Sequence, residues 1–156
     1  MSKTVFISFP VTDLAASQRF YEALGATNNP LFTDDTAACM MLSDQIGVML
    51  LTHDKFRQFT PLPIGDPRTT SLVGLGLSCD SRAAVDTTAE AAAATGGTID
   101  PVPPQDYGFM VSRSVADPDG YVWDLMWMDP AAAEQGPAAL ETDRRASCRE
   151  RVCYAV

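Results

Sequence analysis

The sequence predicts a mixed α/β (α+β) fold in which two βαβββ modules form an incomplete barrel with a concave cup. Three observations predict it. A strand-like segment running into a capped helix occurs twice, with candidate caps Asp13 and Asp80 lying 67 positions apart. Three short strand-like segments follow each helix. Between the copies, Thr60–Thr70 holds three prolines and one glycine and reads as a linker. The expected organisation is one domain over 3–129, with module one at 3–59, the linker at 60–70 and module two at 71–129.

In the first module, Thr4–Val11 alternates, with Val5, Ile7, Phe9 and Val11 on one face and Phe6, Ser8 and Pro10 on the other. Asp13 suits a helix N-cap, because its carboxylate can accept from the free N–H groups of the first turn. Leu14, Ser17, Tyr21 and Leu24 share one helical stripe, Phe20 widens it, and Gly25 suits the C′ position. Strands follow near 28–33, 36–42 and 46–52, separated by Asp34-Asp35 and Ser43-Asp44 turns. The second module repeats the order. Its first strand is Leu72–Cys79, its helix runs over Ser81–Thr95 to Gly96-Gly97, and its strands lie near 98–102, 108–115 and 121–128. Neither four-stranded sheet can bury both faces alone, so helices packed on one side leave two concave faces to form a cup.

The composition fits a globular protein: 46% apolar and 20% charged over 156 residues, enough for a core without staples. No apolar run approaches the roughly 18 residues that cross a bilayer, so no membrane partner is expected. The four cysteines form no Cys-x-x-Cys pair, and a reduced, cytoplasmic protein is the expectation. The net charge is −9, and residues 1–142 alone carry 7 basic and 18 acidic side chains. Nucleic acid would be repelled by that balance, whereas a cationic ligand would be attracted. Residues 131–156 end in an Arg-rich string unlike the rest, and are expected to be a disordered or artefactual tail.

The most informative stretch is Asp117-Pro118-Asp119-Gly120, a sharp turn, followed by Tyr121-Val122-Trp123-Asp124-Leu125-Met126-Trp127-Met128. Alternation sets Val122, Asp124, Met126 and Met128 against Trp123, Leu125 and Trp127. Asp124 is a lone carboxylate in an apolar strand, which calls for a partner, water or a function.

The paired modules, the Asp13-Leu14-x-x-Ser17-x-x-Phe20-Tyr21 helix start and the Asp117–Leu125 close resemble the vicinal oxygen chelate superfamily. That group includes glyoxalase I, bleomycin-resistance proteins and extradiol dioxygenases. The resemblance covers about residues 3–129 and implies a homodimer. Metal-dependent members of that group place His, Gln or Glu on the first and last strands of each module. The corresponding positions here are Phe6, Met49, one of Leu72, Val73 or Gly74, and Asp124. Only Asp124 offers a hard oxygen, so no metal or other cofactor is expected.

His53, the only histidine, is a candidate general base beside Asp54, or a surface residue on a short helix carrying Phe56 and Phe59. The two phenylalanines could rim a ligand or pack against the sheet. Arg113 could pair with Asp124, or both could anchor a ligand. The expected ligand-binding set is Phe6, Ser8, Met49, Phe56, Tyr107, Arg113 and Met126, with Asp124 and His53 as catalytic candidates. The leading expectation is a glyoxalase/bleomycin-resistance-like protein binding a small, mostly apolar or cationic molecule in its cup without metal. The competing one is a lyase or isomerase using Asp124 as base or in a weak divalent-metal site.

Overall fold

The computed structural model describes residues 3–136. Its elements run β1 (Val5–Val11), α1 (Leu14–Ala23), β2 (Thr27–Asn29), β3 (Ala37–Ser43), β4 (Ile46–Thr52) and α2 (His53–Phe56). The second half runs β5 (Leu75–Ser78), α3 (Arg82–Ala94), β6 (Thr98–Ile99), β7 (Gln105–Asp106), β8 (Met110–Ala116), β9 (Val122–Met128) and α4 (Pro130–Gln135). The first sheet has the order β1-β4-β3-β2 and the second β5-β9-β8-β6, with β7 also on β8. In each, the first strand lies parallel to the last, which is the βαβββ pattern. The fold is mixed α+β, with two sheets and four helices among the described residues and no closed barrel.

Local chemistry explains the boundaries. Asp13 caps α1 by accepting from the Ala16 N–H at 2.9 Å. Helix α3 is capped by Ser81 rather than Asp80, its hydroxyl accepting from the Ala84 N–H at 3.1 Å. Strand β2 stops at Asn29 because Pro30 starts a short 3-10 turn. Strand β5 is shorter than its apolar text, since its partner β9 begins only after the turn at Gly120. Leu72, ahead of that pairing, is 98% exposed. The expected strand at 98–102 ends at Ile99. Asp100 turns the chain at φ 49°, and Pro101, Pro103 and Pro104 cannot donate to a ladder. There Ser114 stands in for the missing ladder, its hydroxyl accepting from Val102 N–H and donating to Val102 C=O, both at 2.9 Å. The start of the expected tail is helical, with Asp129 capping α4 and Ala132 buried. The expectation for 137–156 lies outside the described residues.

The helix sides of both sheets share one buried cluster, including Phe9, Tyr21 and Leu50 from the first module and Val85, Trp123 and Leu125 from the second. Tyr21 and Trp123 meet edge to face at 6.0 Å between ring centres. The Asp117–Gly120 turn fastens the modules beside them. Asp119, 7% exposed, accepts from the Thr12 N–H at 3.0 Å and the Thr12 hydroxyl at 2.6 Å. One oxygen of Asp117 accepts the N–H groups of Asp119, Gly120 and Tyr121 at 3.0, 2.9 and 2.9 Å. Its other oxygen accepts from the Tyr21 hydroxyl at 3.2 Å, and the Tyr21 oxygen accepts from the Trp123 indole N–H at 3.2 Å.

Two predictions follow from this packing. Burial pushes the Asp117 carboxyl up to about 6, outweighing the backbone N–H groups that act the other way. An unfolded Asp titrates near ~3.9, so the native state holds this proton more tightly. Stability from this group is therefore full below about pH 4 and declines as pH rises through about 6, by on the order of 2–3 kcal/mol. Asp117→Asn keeps the N–H acceptor and removes the titration, so urea melts across that window should show a flatter profile than the parent. An unchanged slope would refute the assignment. Separately, Ser17 is fully buried and its hydroxyl has no partner among the described residues. Ser17→Ala removes that unmet polar group and should raise stability by about 1 kcal/mol in the same assay.

Candidate ligand-binding site

On β9, Asp124 sits in register between Gly76 of β5 and Ser114 of β8. Alternation sends Asp124 and Met126 to the face away from α3, while Trp123 and Leu125 are buried on the helix side. Gly76 keeps that face open: a Cβ there would lie 3.1 Å from the Met126 methyl. Asp124, Met126, Met110, Ser112, Ser114 and Val102 line a cavity of about 240 Å³. The Asp124 carboxylate is half-buried and forms no hydrogen bond or ion pair among the described residues.

Arg113 takes other partners. It sits opposite Leu125 in the ladder, which turns its side chain toward α3. Its guanidinium meets Asp100 at 2.6 Å, Asp86 at 3.0 Å and Glu90 at 3.6 Å, and the hydrogen bonds to Asp100 and Asp86 raise its pKa further. Of the two readings left open by the sequence, the Arg113–Asp124 pair is not formed. Arg113 reaches the rim of the cavity with its charge already matched.

The first module presents an equivalent concave face. Phe6, Met49, Met41, Cys39, Phe32 and Asn29 line a cavity of about 470 Å³. Ser8 is exposed and lies in register with Met49. The Phe6 ring lies across Gly47, where a Cβ would come within 2.7 Å of it. This half is mostly apolar, with Asp44 and Thr4 also in its lining, the other carries Asp124, and the two cavities share no lining residue.

The donor set does not suit a catalytic divalent ion. The cup-facing positions hold Phe6, Ser8, Met49, Gly76 and Asp124, so one carboxylate stands alone. Among the described residues no three His, Cys, Asp or Glu side chains come together as a metal site. On β5 the residue beside Asp124 is Gly76, not Leu72, Val73 or Gly74 as counted from the sequence, because β9 meets β5 only from Leu75 onward.

Three other sequence candidates stand away from both half-cups. His53 opens α2 and lines a different cavity, at the module junction. Phe56, on the same short helix, is half-buried, and Phe59 is exposed. The Tyr107 hydroxyl donates to Gln105 at 2.9 Å, and its ring tilts against Phe109 at 6.3 Å. The sequence reading missed Cys39, Met41, Ser112 and Ser114. The signal was present, since strand parity with Met49 and Asp124 puts them on the same faces once the ladders are known.

A family model described as Glyoxalase/Bleomycin resistance protein/Dioxygenase superfamily matches residues 3–125. No curated protein matches the chain. Among solved structures, a glyoxalase-related enzyme from Fulvimarina pelagi is 21% identical, with TM-score 0.67, covering 81% of this chain and 88% of that one. TnmS3, an antibiotic binding protein from Streptomyces sp. CB03234, is 22% identical, with TM-score 0.57, covering 82% and 97%. The fosfomycin resistance protein FosX from Mesorhizobium loti is 18% identical, with TM-score 0.58, covering 81% and 92%. At these identities the likeness is one of fold.

The Phe6–Gly47 contact yields a test of the apolar half. Gly47→Ala displaces the Phe6 ring, which is 55% exposed and can swing outward, and should cost about 0.5 kcal/mol, below the range for overpacking a closed core. The double variant Gly47→Ala/Phe6→Ala removes the clash and should recover part of that loss in denaturant melts. Equal stability of the single variant and the parent would show that the ring does not rest on Gly47.

Proposed function

The chain belongs to the Glyoxalase/Bleomycin resistance protein/Dioxygenase superfamily, and from that membership we propose that it binds a small, mostly apolar or cationic molecule in its cup without a metal. The observation that carries this reading is the half-buried Asp124 carboxylate, which has no partner among the described residues and lies among methionine side chains. A half-buried carboxylate without a partner favours a ligand that brings a positive charge or a strong hydrogen-bond donor. Methionines adapt to varied apolar shapes, and the net charge of −9 attracts cations from a distance. A cationic antibiotic is one such ligand, a class in keeping with the antibiotic-binding neighbour.

Binding is by a homodimer in this reading. Each half-cup is open, Phe6 is 55% exposed and Phe32 65%, and neither cavity shares a residue with the other. Placing the apolar half of one protomer over the Asp124 half of its partner closes a cup and covers the exposed rings. Cys39 and Cys79 are free thiols, which suits a cytoplasmic protein.

The experiment is a calorimetric titration with ethidium, a planar aromatic cation, and with phenanthridine, its uncharged counterpart. Ethidium should bind more tightly, and Asp124→Asn should weaken it about tenfold while leaving phenanthridine nearly unchanged. Equal affinities for parent and variant would sink the proposal. The competing reading, a lyase or isomerase that uses Asp124 as base or as part of a weak metal site, rests on the same unpartnered carboxylate. A melting rise with Zn²⁺, Ni²⁺, Mn²⁺ or Fe²⁺ that disappears in Asp124→Ala would favour it.

A further inference from the structure

The larger part of the chemistry outside the cup gathers at the junction of the modules. A cavity of about 470 Å³ lies there, bounded by the end of β1, the start of α2, the linker and the Asp117–Gly120 turn. Its walls include Pro10, Pro63, Ile64, Pro67 and Tyr121, an apolar surface. Three nitrogen-bearing side chains, His53, Arg57 and Arg68, open onto it from two segments. It shares no lining residue with either half-cup.

Hydrogen-bonding capacity in this cavity is unbalanced. Its two carboxylates keep fewer open positions than its nitrogen groups, Asp119 being nearly filled and Asp66 having accepted one N–H. Asp119 is held by both donors of Thr12, and Asp66 takes the Arg68 backbone N–H at 2.9 Å. Of the nitrogen groups, Arg57 spends one N–H on Asp54 at 2.6 Å, and Arg68 one on the Pro118 carbonyl at 2.7 Å. A guanidinium carries five donors in a planar fork, so both keep most of theirs. The His53 ring has no hydrogen-bond partner among the described residues. The Arg68 stem passes close over Gly120, its Cγ lying 2.8 Å from where a Cβ there would sit. A surplus of donors over acceptors, walled by proline, isoleucine and tyrosine, fits a molecule with an anionic head and an apolar body.

We propose that the module junction is a second ligand site, selective for a small organic anion such as an aromatic carboxylate or phosphonate. The two arginines fork onto the anionic head, His53 donates a further hydrogen bond, and the body lies along Ile64, Pro67 and Tyr121. The site is separate from the cup and opposite to it in charge preference, so it stands whether or not the cup takes a cation.

The test is an amide-shift titration of the full chain by nuclear magnetic resonance, with benzoate, phenylphosphonate, inorganic phosphate and benzylammonium as probes. Benzoate and phenylphosphonate should give saturable shifts at Gly65, Gly120 and Tyr121. Benzylammonium should leave those amides in place. Arg68→Gln should weaken benzoate about tenfold and Arg57→Gln by several-fold, with His53→Gln a smaller loss. Arg57 is exposed and its replacement leaves the fold alone, so that variant decides the matter if Arg68→Gln destabilises the turn. Absence of saturation with benzoate and phenylphosphonate, or saturation that neither arginine variant weakens, overturns the proposal. Inorganic phosphate binding as tightly as phenylphosphonate overturns its apolar half.

Discussion

Two carboxylates separated by a single proline hold this molecule's halves in one arrangement. Asp119 reaches back across the chain to Thr12, at the exit of the first strand, and Asp117 gathers three consecutive N–H groups while touching the Tyr21 hydroxyl. Each interaction would be modest alone; those of Asp117 with Tyr21 and Asp119 are buried, and the rest are partly shielded from water. The turn thereby sets the direction of β9, and β9 sets the position of Asp124. It also meets the linker through the Pro118 carbonyl, so the cup and the junction cavity are both positioned by the same four residues.

Much of this could be read from the residues. The repeat of strand, cap and helix gave the two modules, and the alternation along β9 separated core from cup, whereas along β1 Val5 is 54% exposed and Pro10 is buried against the alternation. Asp13, Gly25 and Gly96 ended or began helices where their chemistry required. Other features were beyond local pattern. Asp80 and Ser81 are both competent caps, and only the backbone geometry chose the second. The apolar text at Leu72 and Val73 reads as strand, but strand formation needs a partner, and β9 starts too late to provide one. Arg113 presented the hardest case. Its destination depended on Asp86 and Glu90, which reach it only because α3 crosses β8, a contact no neighbouring residue announces. The junction cavity was equally hidden, since His53, Arg68 and Asp119 lie far apart in the chain.

The distribution of charge gives the protein two faces of different temper. An excess of acids draws cations toward the molecule as a whole, and Asp124 waits on a surface of methionine, serine, valine, proline and glutamine with the paired Arg113 beside it. At the junction two arginines face two carboxylates, so the charges cancel and what remains is a surplus of hydrogen-bond donors. Long-range field and short-range hydrogen bonding therefore select different partners at different places. Arg113 shows how such separation is kept. By being matched to Asp100 and Asp86 it leaves the Asp124 carboxylate uncompensated.

The closing turn lies late in the chain, and its contacts reach back over very long separations: 107 residues from Asp119 to Thr12 and 102 from Trp123 to Tyr21. While the chain is being synthesised, the first sheet and its helix can assemble well before those partners leave the ribosome. Phe9 and Tyr21 then face water until the last strand arrives. For that interval the nascent protein carries an aromatic patch that its finished form conceals, and such transiently exposed apolar surface is prone to aggregation.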